Sequence, residues 1–451
     1  MLRNRFFSSL GWRVAALFFL GLVLLIPLSM IDGLLRERTY RKADAVREIG
    51  QQWGTEQRVY GPFLRVPVTR EEERSEQVIV KGELQTRIRK VEHRGHLILL
   101  PEEYRFEGTV DPEVRYRGIF RAPVFTSALR MEGFWALGDA TDYEMENSTI
   151  DWKKAELVFR VADAKGLTKL ECGGLGEGAA PRPLFLEDQT DWIAIDYPVD
   201  EGSEEAPLDL SFELQGSLAL SFLPVGREGV AELSSSWADP SFRGSRLPSQ
   251  RDVSESGFTA KWSFGEFGRG FPNFWLEENG APHLSVLENA MSGVEFLDPI
   301  DGYRMTERSL KYGSLFIALG FLVFFLFEIL CGLKLHLMQY LLAGAAQALF
   351  FLLVLALSEV MDFSVAYGIA AVAATSLVAF YAASVLGGGR RASMVGGAMA
   401  SLYAVLLVIL REQDYALLAG SVLLFVALGV FMFLTRKLDW GNAGGQTVEG
   451  G

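Results

Sequence analysis

Residues 312–434 form a nearly continuous apolar block, and this block limits the possible folds more than any other feature of the sequence. Short polar segments divide it, and each apolar stretch between them approaches the roughly 20 residues that a helix needs to cross a bilayer core. A chain with 22% charged residues does not lie wholly in a membrane, so a large part lies outside it. The block predicts a bundle of five membrane-spanning helices, at residues 312–330, 337–357, 363–386, 392–410 and 415–434.

A further apolar run at residues 14–31 follows Arg3, Arg5 and Arg13. A basic segment before an apolar one is also typical of a cleaved signal peptide. This run, however, is long enough to span a membrane and does not end in the small-residue pattern of a cleavage site. We therefore predict an uncleaved anchor helix, which brings the number of membrane-spanning helices to six.

Basic residues in the short loops predict the orientation of the helices, because such residues favour the cytoplasmic side. With a cytoplasmic N-terminus, the inner loops and tail carry five of them: Lys334, Arg390, Arg391, Arg436 and Lys437. The outer short loops carry one basic residue beside four acidic ones: Arg411, Glu359, Asp362, Glu412 and Asp414. The sequence thus predicts an inner-membrane protein with residues 1–13 and 435–451 in the cytoplasm and residues 32–308 in the periplasm.

The segment at residues 32–308 contains 33 Lys and Arg residues against 49 Asp and Glu residues, so it holds the acidic excess of the chain. This balance, without a basic tract, argues against nucleic-acid binding. Apolar and polar residues alternate strictly at 208–214, and shorter runs of this kind recur at 65–68, 78–80, 96–100, 156–161 and 258–262. Alternation between turns predicts antiparallel sheet with one solvated face.

We predict a β-rich, sandwich-like domain in this segment. It is either one elongated unit or two units in series with a boundary near residues 172–190, where glycines break the alternation. Residues 36–53 lack proline and are predicted to continue the anchor helix outward. Residues 124–129 are compatible with more than one type of structure.

Motifs that would indicate catalysis or cofactor binding do not occur in the sequence. Two cysteines, Cys172 and Cys331, are too few for a disulfide framework or a thiolate zinc site. His93 and His96 are three residues apart, but Gly95 and the extended pattern disfavour a metal-binding pair. Carboxylates are abundant, yet nothing separates a hydrolase pair from surface charge. We predict a protein without enzymatic activity, cofactor or metal.

Ionisable residues in membrane helices are candidates for function by default. Here they lie near the predicted membrane faces, and the bilayer centre holds only Gln347, Thr375 and Ser376 as clearly polar residues. A pump is expected to carry charge near the midplane, so a packed bundle is favoured. The alternative is a transporter or lipid-handling protein that uses the bundle. The candidate polar residues are Arg308, Lys311, Glu328, His336, Gln339, Glu359, Asp362, Glu412, Asp414, Arg436 and Asp439.

Ten short sequence motifs, spread along nearly the whole chain, together resemble those of a known family. They are GPFLRVPV at 61–68, YRGIF at 116–120, SWADPSFRG at 236–244, DPIDGY at 298–303, RSLKYG at 308–313, FE at 327–328, HLMQYLL at 336–342, LSE at 357–359, EQDYALLAG at 412–420 and TRKLDW at 435–440. In these strings the chain resembles the CreD family of bacterial inner-membrane proteins, also called cell envelope integrity proteins. It departs from the family at Leu337, where Pro is usual, and at Val360, where His is common.

The resemblance implies a role in envelope integrity, linked to a two-component stress system and to altered tolerance of colicins and β-lactams. It implies no established reaction and no catalytic residues. We expect a non-enzymatic protein that acts through its periplasmic domain, with the lipid bilayer and an envelope protein as partners; the oligomeric state stays open. Arg308 and Lys311 are expected to meet the acidic outer loops and so couple the domain to the bundle.

Overall fold

The computed structural model describes residues 10–80, 83–139, 141–143, 145, 148–173, 180–186, 189–200, 202–277, 284–296, 302–330, 335–385, 388–411 and 416–436. The chain divides into two compact units. The helical unit comprises residues 1–43 and 300–451, and the β-domain comprises residues 44–299. The helices are α1 Leu10–Trp53, α2 Leu284–Ala290, α3 Gly302–Lys311, α4 Gly313–Leu330, α5 Leu337–Ser358, α6 Phe363–Val385, α7 Gly389–Arg411 and α8 Ala416–Thr435.

Six helices of the described chain are long and apolar enough to cross a membrane: α1, α4, α5, α6, α7 and α8. The bounds of α4 to α8 lie within a few residues of the predicted spans, because polar residues at each break end the apolar stretches. The prediction of a helix over residues 36–53 that continues the first apolar run is confirmed, since α1 runs without a break from Leu10 to Trp53 and retains Pro27 inside it.

Close packing in the helical unit depends on small residues. α5 packs against α4 and α6, and α6 packs against α7. α1 approaches α5 where Gly344 faces Leu24, and a Cβ atom at Gly344 would overlap the Leu24 side chain. Small residues allow helix backbones to come this close in a membrane. α8 packs least against the other spanning helices, because only 6% of the residues in its most apolar 18-residue stretch are buried.

The β-domain contains seventeen strands in its described residues. They are β1 Gln57–Val80, β2 Glu83–Leu99, β3 Glu103–Arg117, β4 Phe120–Ala136, β5 Ser148–Ile150, β6 Glu156–Val161, β7 Leu167–Cys172, β8 Arg182–Leu186, β9 Gln189–Asp196, β10 Glu205–Ser217, β11 Ala219–Phe222, β12 Glu228–Ser235, β13 Pro240–Gly244, β14 Gln250–Ser254, β15 Gly257–Gly265, β16 Phe274–Leu276 and β17 Ser292–Phe296. The stretch at 124–129, which the sequence left open, lies in β4.

These strands form two sheets. The ten-stranded sheet has the order β13-β17-β11-β1-β6-β9-β8, with β2, β5 and β16 alongside, and the seven-stranded sheet has the order β14-β15-β12-β3-β4-β10-β7. The expectation of purely antiparallel sheet is wrong at two places, because β1 pairs with β11 and β3 with β12 in parallel. Parallel neighbours require a long connection, and many strands intervene in both cases.

The two sheets pack face to face, which confirms the sandwich-like architecture. Phe106 of β3 stacks on Phe222 of β11 with ring centroids 4.9 Å apart, and Phe159 of β6 lies 5.8 Å from Phe212 of β10. One continuous apolar core includes residues from Val59 to Phe296. Residues 174–179 and 187–188, within the region of the suggested boundary, lie outside the described residues.

Candidate functional site

A buried carboxylate joins three helices at one end of the helical unit. Glu328, near the end of α4, is 5% exposed. Arg13 of α1 forms an ion pair with it, and the Tyr340 hydroxyl of α5 donates a hydrogen bond of 2.7 Å to its Oε2 atom. We call Arg13, Glu328 and Tyr340 the Glu328 cluster. A charged group in the interior of a membrane protein requires such partners, because lipid supplies none.

Tyr340 is held in place by the way α5 begins. The Nδ1 atom of His336 accepts from the Met338 N–H at 3.2 Å, and the side chain of Gln339 accepts from the His336 N–H at 3.0 Å. This reciprocal pair is a capping box, which satisfies backbone donors at a helix start. His336 and Gln339 therefore fix the first turn of α5. The first helical position, Leu337, is where proline is favoured in helices generally, and leucine fits there because that N–H needs no helical partner.

A second cluster lies around Glu359, at the end of α5. Its Oε1 atom lies 3.5 Å from the Arg38 Nε atom of α1 and accepts a hydrogen bond of 3.0 Å from the Tyr303 hydroxyl of α3. Lys42, one turn after Arg38, lies 5.9 Å from the centre of the Tyr303 ring. We call Arg38, Lys42, Tyr303 and Glu359 the Glu359 cluster.

The two clusters occur at opposite ends of one helical segment. Arg13 and Arg38 both belong to α1, and at 1.5 Å per residue they are about 37 Å apart along its axis. This separation exceeds the ~30 Å hydrocarbon core and falls short of the ~40–45 Å bilayer with its headgroups. The clusters are therefore separated by roughly the thickness of a bilayer, and each joins α1 to the rest of the helical unit.

The other predicted polar residues have different partners. Lys311 pairs with Glu307 at 3.0 Å, and the Arg308 guanidinium lies 3.9 Å from the Met305 sulfur. Asp362 caps α6 by accepting from the Ser364 N–H at 2.8 Å. The Arg436 guanidinium lies 4.1 Å from the centre of the Phe433 ring. Three further candidates lie outside the described residues: Glu412, Asp414 and Asp439. A pairing of Arg308 or Lys311 with the acidic outer loops stays a prediction.

The polar residues predicted for the bilayer centre do not form one group. Gln347 is buried, Thr375 is half-buried and Ser376 is exposed on the outside of α6. The Nε2 atom of Gln347 instead lies 3.9 Å from the Met399 sulfur of α7. The Tyr367 hydroxyl of α6 donates to the Tyr403 carbonyl of α7 at 2.7 Å. Hydropathy treats tyrosines in apolar segments as apolar residues. Tyr367 and Tyr403 were therefore not among the polar residues predicted for the bilayer centre.

In the β-domain, Arg65 is the centre of a half-buried charge network. Its guanidinium pairs with Glu156 and Glu277, both at 3.0 Å, and His96 pairs with Glu277 at 2.8 Å. His93 pairs separately with Glu72 at 3.0 Å. Because residues three apart in a strand face opposite sides of the sheet, the two histidines do not share a site.

Acid is expected to weaken this network through Glu277. Burial alone would raise the pKa of Glu277, but the hydrogen bonds and charges of His96 and Arg65 outweigh burial and lower the pKa below its usual 4.5. A carboxylate with a lowered folded-state pKa stabilises the fold above the unfolded value and loses that contribution as pH falls through the folded value. Unfolding midpoints of the full chain, measured between about pH 6 and 3, should fall more steeply for the wild type than for Glu277→Gln. Equal slopes would contradict a role for Glu277 in acid stability.

Comparisons with known proteins agree with this architecture over nearly the whole chain. A family model described as "Inner membrane protein CreD" matches residues 9–441. The "Inner membrane protein CreD" of Escherichia coli (strain K12) is 33% identical over 440 residues, which cover 96% of this chain and 94% of that protein. With six helices able to span a bilayer, the chain is a multi-pass inner-membrane protein associated with lipid. It belongs to the CreD family.

Proposed function

We propose that this protein supports the integrity of the cell envelope and its tolerance of stress, and that it does so without catalysing a reaction. The protein acts through its β-domain. Membership of the CreD family supports the proposal.

The observation that carries the proposal is the double attachment of α1. The Glu328 and Glu359 clusters join α1 to the other helices near both ends of its predicted crossing, and α1 continues as one helix to Trp53. A helix fixed in this way resists tilting and sliding in the bilayer. Such an attachment favours a bundle that is packed as one body over a bundle that rearranges during transport.

We also propose that the β-domain lies in the periplasm and both termini in the cytoplasm. The basic inner loops support this orientation. In a chain with Cys172→Ser and Cys331→Ser, Val360→Cys should react with a membrane-impermeant maleimide in spheroplasts, because Val360 is 71% exposed in an outer loop. Arg390→Cys should react only after permeabilisation. The reverse pattern would invert the proposed topology.

The native Cys172 would react little with the maleimide even if it were retained. Burial, with a contribution from the charge of Asp209, raises the pKa of its thiol to about 11, so little reactive thiolate is present at neutral pH. Its replacement removes the remaining background.

The envelope role is tested by complementation. In a strain that lacks its own CreD protein, the full chain should restore tolerance of a β-lactam, and Glu359→Gln should lower that tolerance towards the strain without the protein, because the charge that holds Arg38 is removed. Glu37→Gln is the matched control, since Glu37 pairs only with Arg41 on the exposed side of α1 among its described contacts. If Glu359→Gln and Glu37→Gln both restore full tolerance at equal protein levels, the attachment of α1 is not what supports the envelope.

Photo-crosslinking in living cells, from probes placed across residues 60–300, tests the proposal that an envelope protein is the partner. Recovery of one discrete envelope protein would support a scaffold or regulator. Crosslinks to lipid alone would point to a lipid-handling protein instead.

A further inference from the structure

Among the described residues of the helical unit, two buried polar side-chain atoms have no hydrogen-bond partner. Gln347 is 2% exposed and Tyr403 is 3% exposed. The Oε1 atom of Gln347 and the hydroxyl of Tyr403 form no hydrogen bond with any described residue. Buried polar side chains are nearly always paired in folded proteins, and each exception calls for an explanation such as an unseen water or ligand.

The two atoms belong to one region between α5 and α7. The Nε2 atom of Gln347 lies 3.9 Å from the sulfur of Met399, which is one turn before Tyr403 on α7. The ring of Phe350, one turn after Gln347 on α5, lies 4.4 Å from the Tyr403 ring. Gln347 and Tyr403 are therefore about one helical turn apart across the same helix contact.

The side chain of Gln347 has little room to move to another partner. Its amide lies against Gly320 of α4, where a Cβ atom would overlap it. Exchanging the amide oxygen and nitrogen does not satisfy the group, because the only hydrogen-bond contact of the amide among the described residues is the weak acceptor of Met399. One end of the amide stays unpaired in either orientation.

We infer that a water molecule is bound in the middle of the bundle, where it donates a hydrogen bond to the Gln347 Oε1 atom and bonds to the Tyr403 hydroxyl. The groups around the site are neutral: Gln347, Phe350, Met399, Tyr367 and Tyr403. A neutral ligand is therefore preferred to an ion, and water is the smallest molecule that both donates and accepts hydrogen bonds. Lipid cannot supply these bonds, so the water adds a polar link between α5 and α7 to the weak contact of Gln347 with Met399.

Hydroxyl-radical labelling tests this site, because X-ray radiolysis of a bound water oxidises the side chains next to it even when they are buried. The full-length protein in lipid nanodiscs would be exposed to short X-ray pulses, and the oxidation rates of Tyr403 and Tyr340 would be read by mass spectrometry. Tyr340 is the matched reference, since it is similarly buried, with 2% of its surface exposed against 3% for Tyr403, and its hydroxyl is already bonded to Glu328. We expect Tyr403 to be oxidised several-fold faster than Tyr340.

A variant checks that the water depends on Gln347. Gln347→Leu should lower the Tyr403 rate to that of Tyr340 and leave the Tyr340 rate unchanged. If that variant does not fold, Tyr403→Phe keeps the ring, and oxidation of Met399 should then fall several-fold. Equal rates for Tyr403 and Tyr340 in the wild type, or a Tyr403 rate that Gln347→Leu leaves unaltered, would overturn the inference.

Discussion

Replacement of Arg13 by alanine is expected to destabilise the helical unit by about 3 kcal/mol, the lower end of the range for breaking a buried ion pair, since Arg13 is itself partly exposed. The change leaves the Glu328 carboxylate buried with the Tyr340 hydroxyl as its one remaining described partner. The penalty comes chiefly from this uncompensated charge. Thermal unfolding of the full chain in detergent, followed by size-exclusion chromatography after heating, would measure the loss.

Arg36→Ala is the control for this prediction. Arg36 also lies on α1 and pairs with an acidic residue, Asp32, but it is 73% exposed. Exposed pairs of this kind contribute about 0.5 kcal/mol or less. Removing the two charges and the Tyr340 hydroxyl with Arg13→Leu, Glu328→Leu and Tyr340→Phe together should recover most of the stability, because no unpaired charge or hydroxyl remains. An Arg13→Ala variant as stable as Arg36→Ala would mean that Glu328 is not a structural anchor.

Phe222→Ala is expected to destabilise the β-domain by about 3–5 kcal/mol, the usual effect of removing a fully buried phenylalanine ring. Phe222 lies between the two sheets, with ring centroids 4.9 Å from Phe106, 5.5 Å from Trp262 and 6.4 Å from Phe264. Truncation leaves a cavity among side chains from both sheets, which cannot close without moving strands. Pulse proteolysis of the full chain in increasing urea would report the change in unfolding of this domain.

The matched control is Phe267→Ala. Phe267 lies in the same domain but is 85% exposed, so its removal opens no cavity and should shift the proteolysis midpoint little. If the two variants unfold at the same urea concentration, the contact between the sheets is not the main source of stability in this domain.

The membrane helices could be predicted from the sequence because their signal is local. The expected span at 337–357 and the observed helix Leu337–Ser358 differ by one residue, since Ser358 and Glu359 end the apolar stretch in both. The alternation at 208–214 likewise predicts a strand, and β10 contains it. The pattern of apolar and polar residues shows which residues of one helix or strand face an apolar environment, and it does so without information from other elements.

Pairings between distant elements were not predictable in this way. Periodicity does not determine which strand lies next to β1, so the parallel neighbour β11 was missed. Glu328 was a candidate because it is an acid near the end of a predicted membrane helix, but its partner Arg13 is 315 positions away. One signal was available: a carboxylate near the inner face needs a cation at the same depth, and Arg13 precedes the first span.

The position of β17 in its sheet has a consequence for the order in which the protein is made. β17 is the last strand of the β-domain, yet it lies inside the ten-stranded sheet and joins β13 to β11. A nascent chain cannot complete this sheet until Ser292–Phe296 has been synthesised, even if the earlier strands were synthesised long before. The strand is followed within a few residues by α3 and α4. The segment that completes the sheet is therefore synthesised directly before the segment that begins the five-helix block.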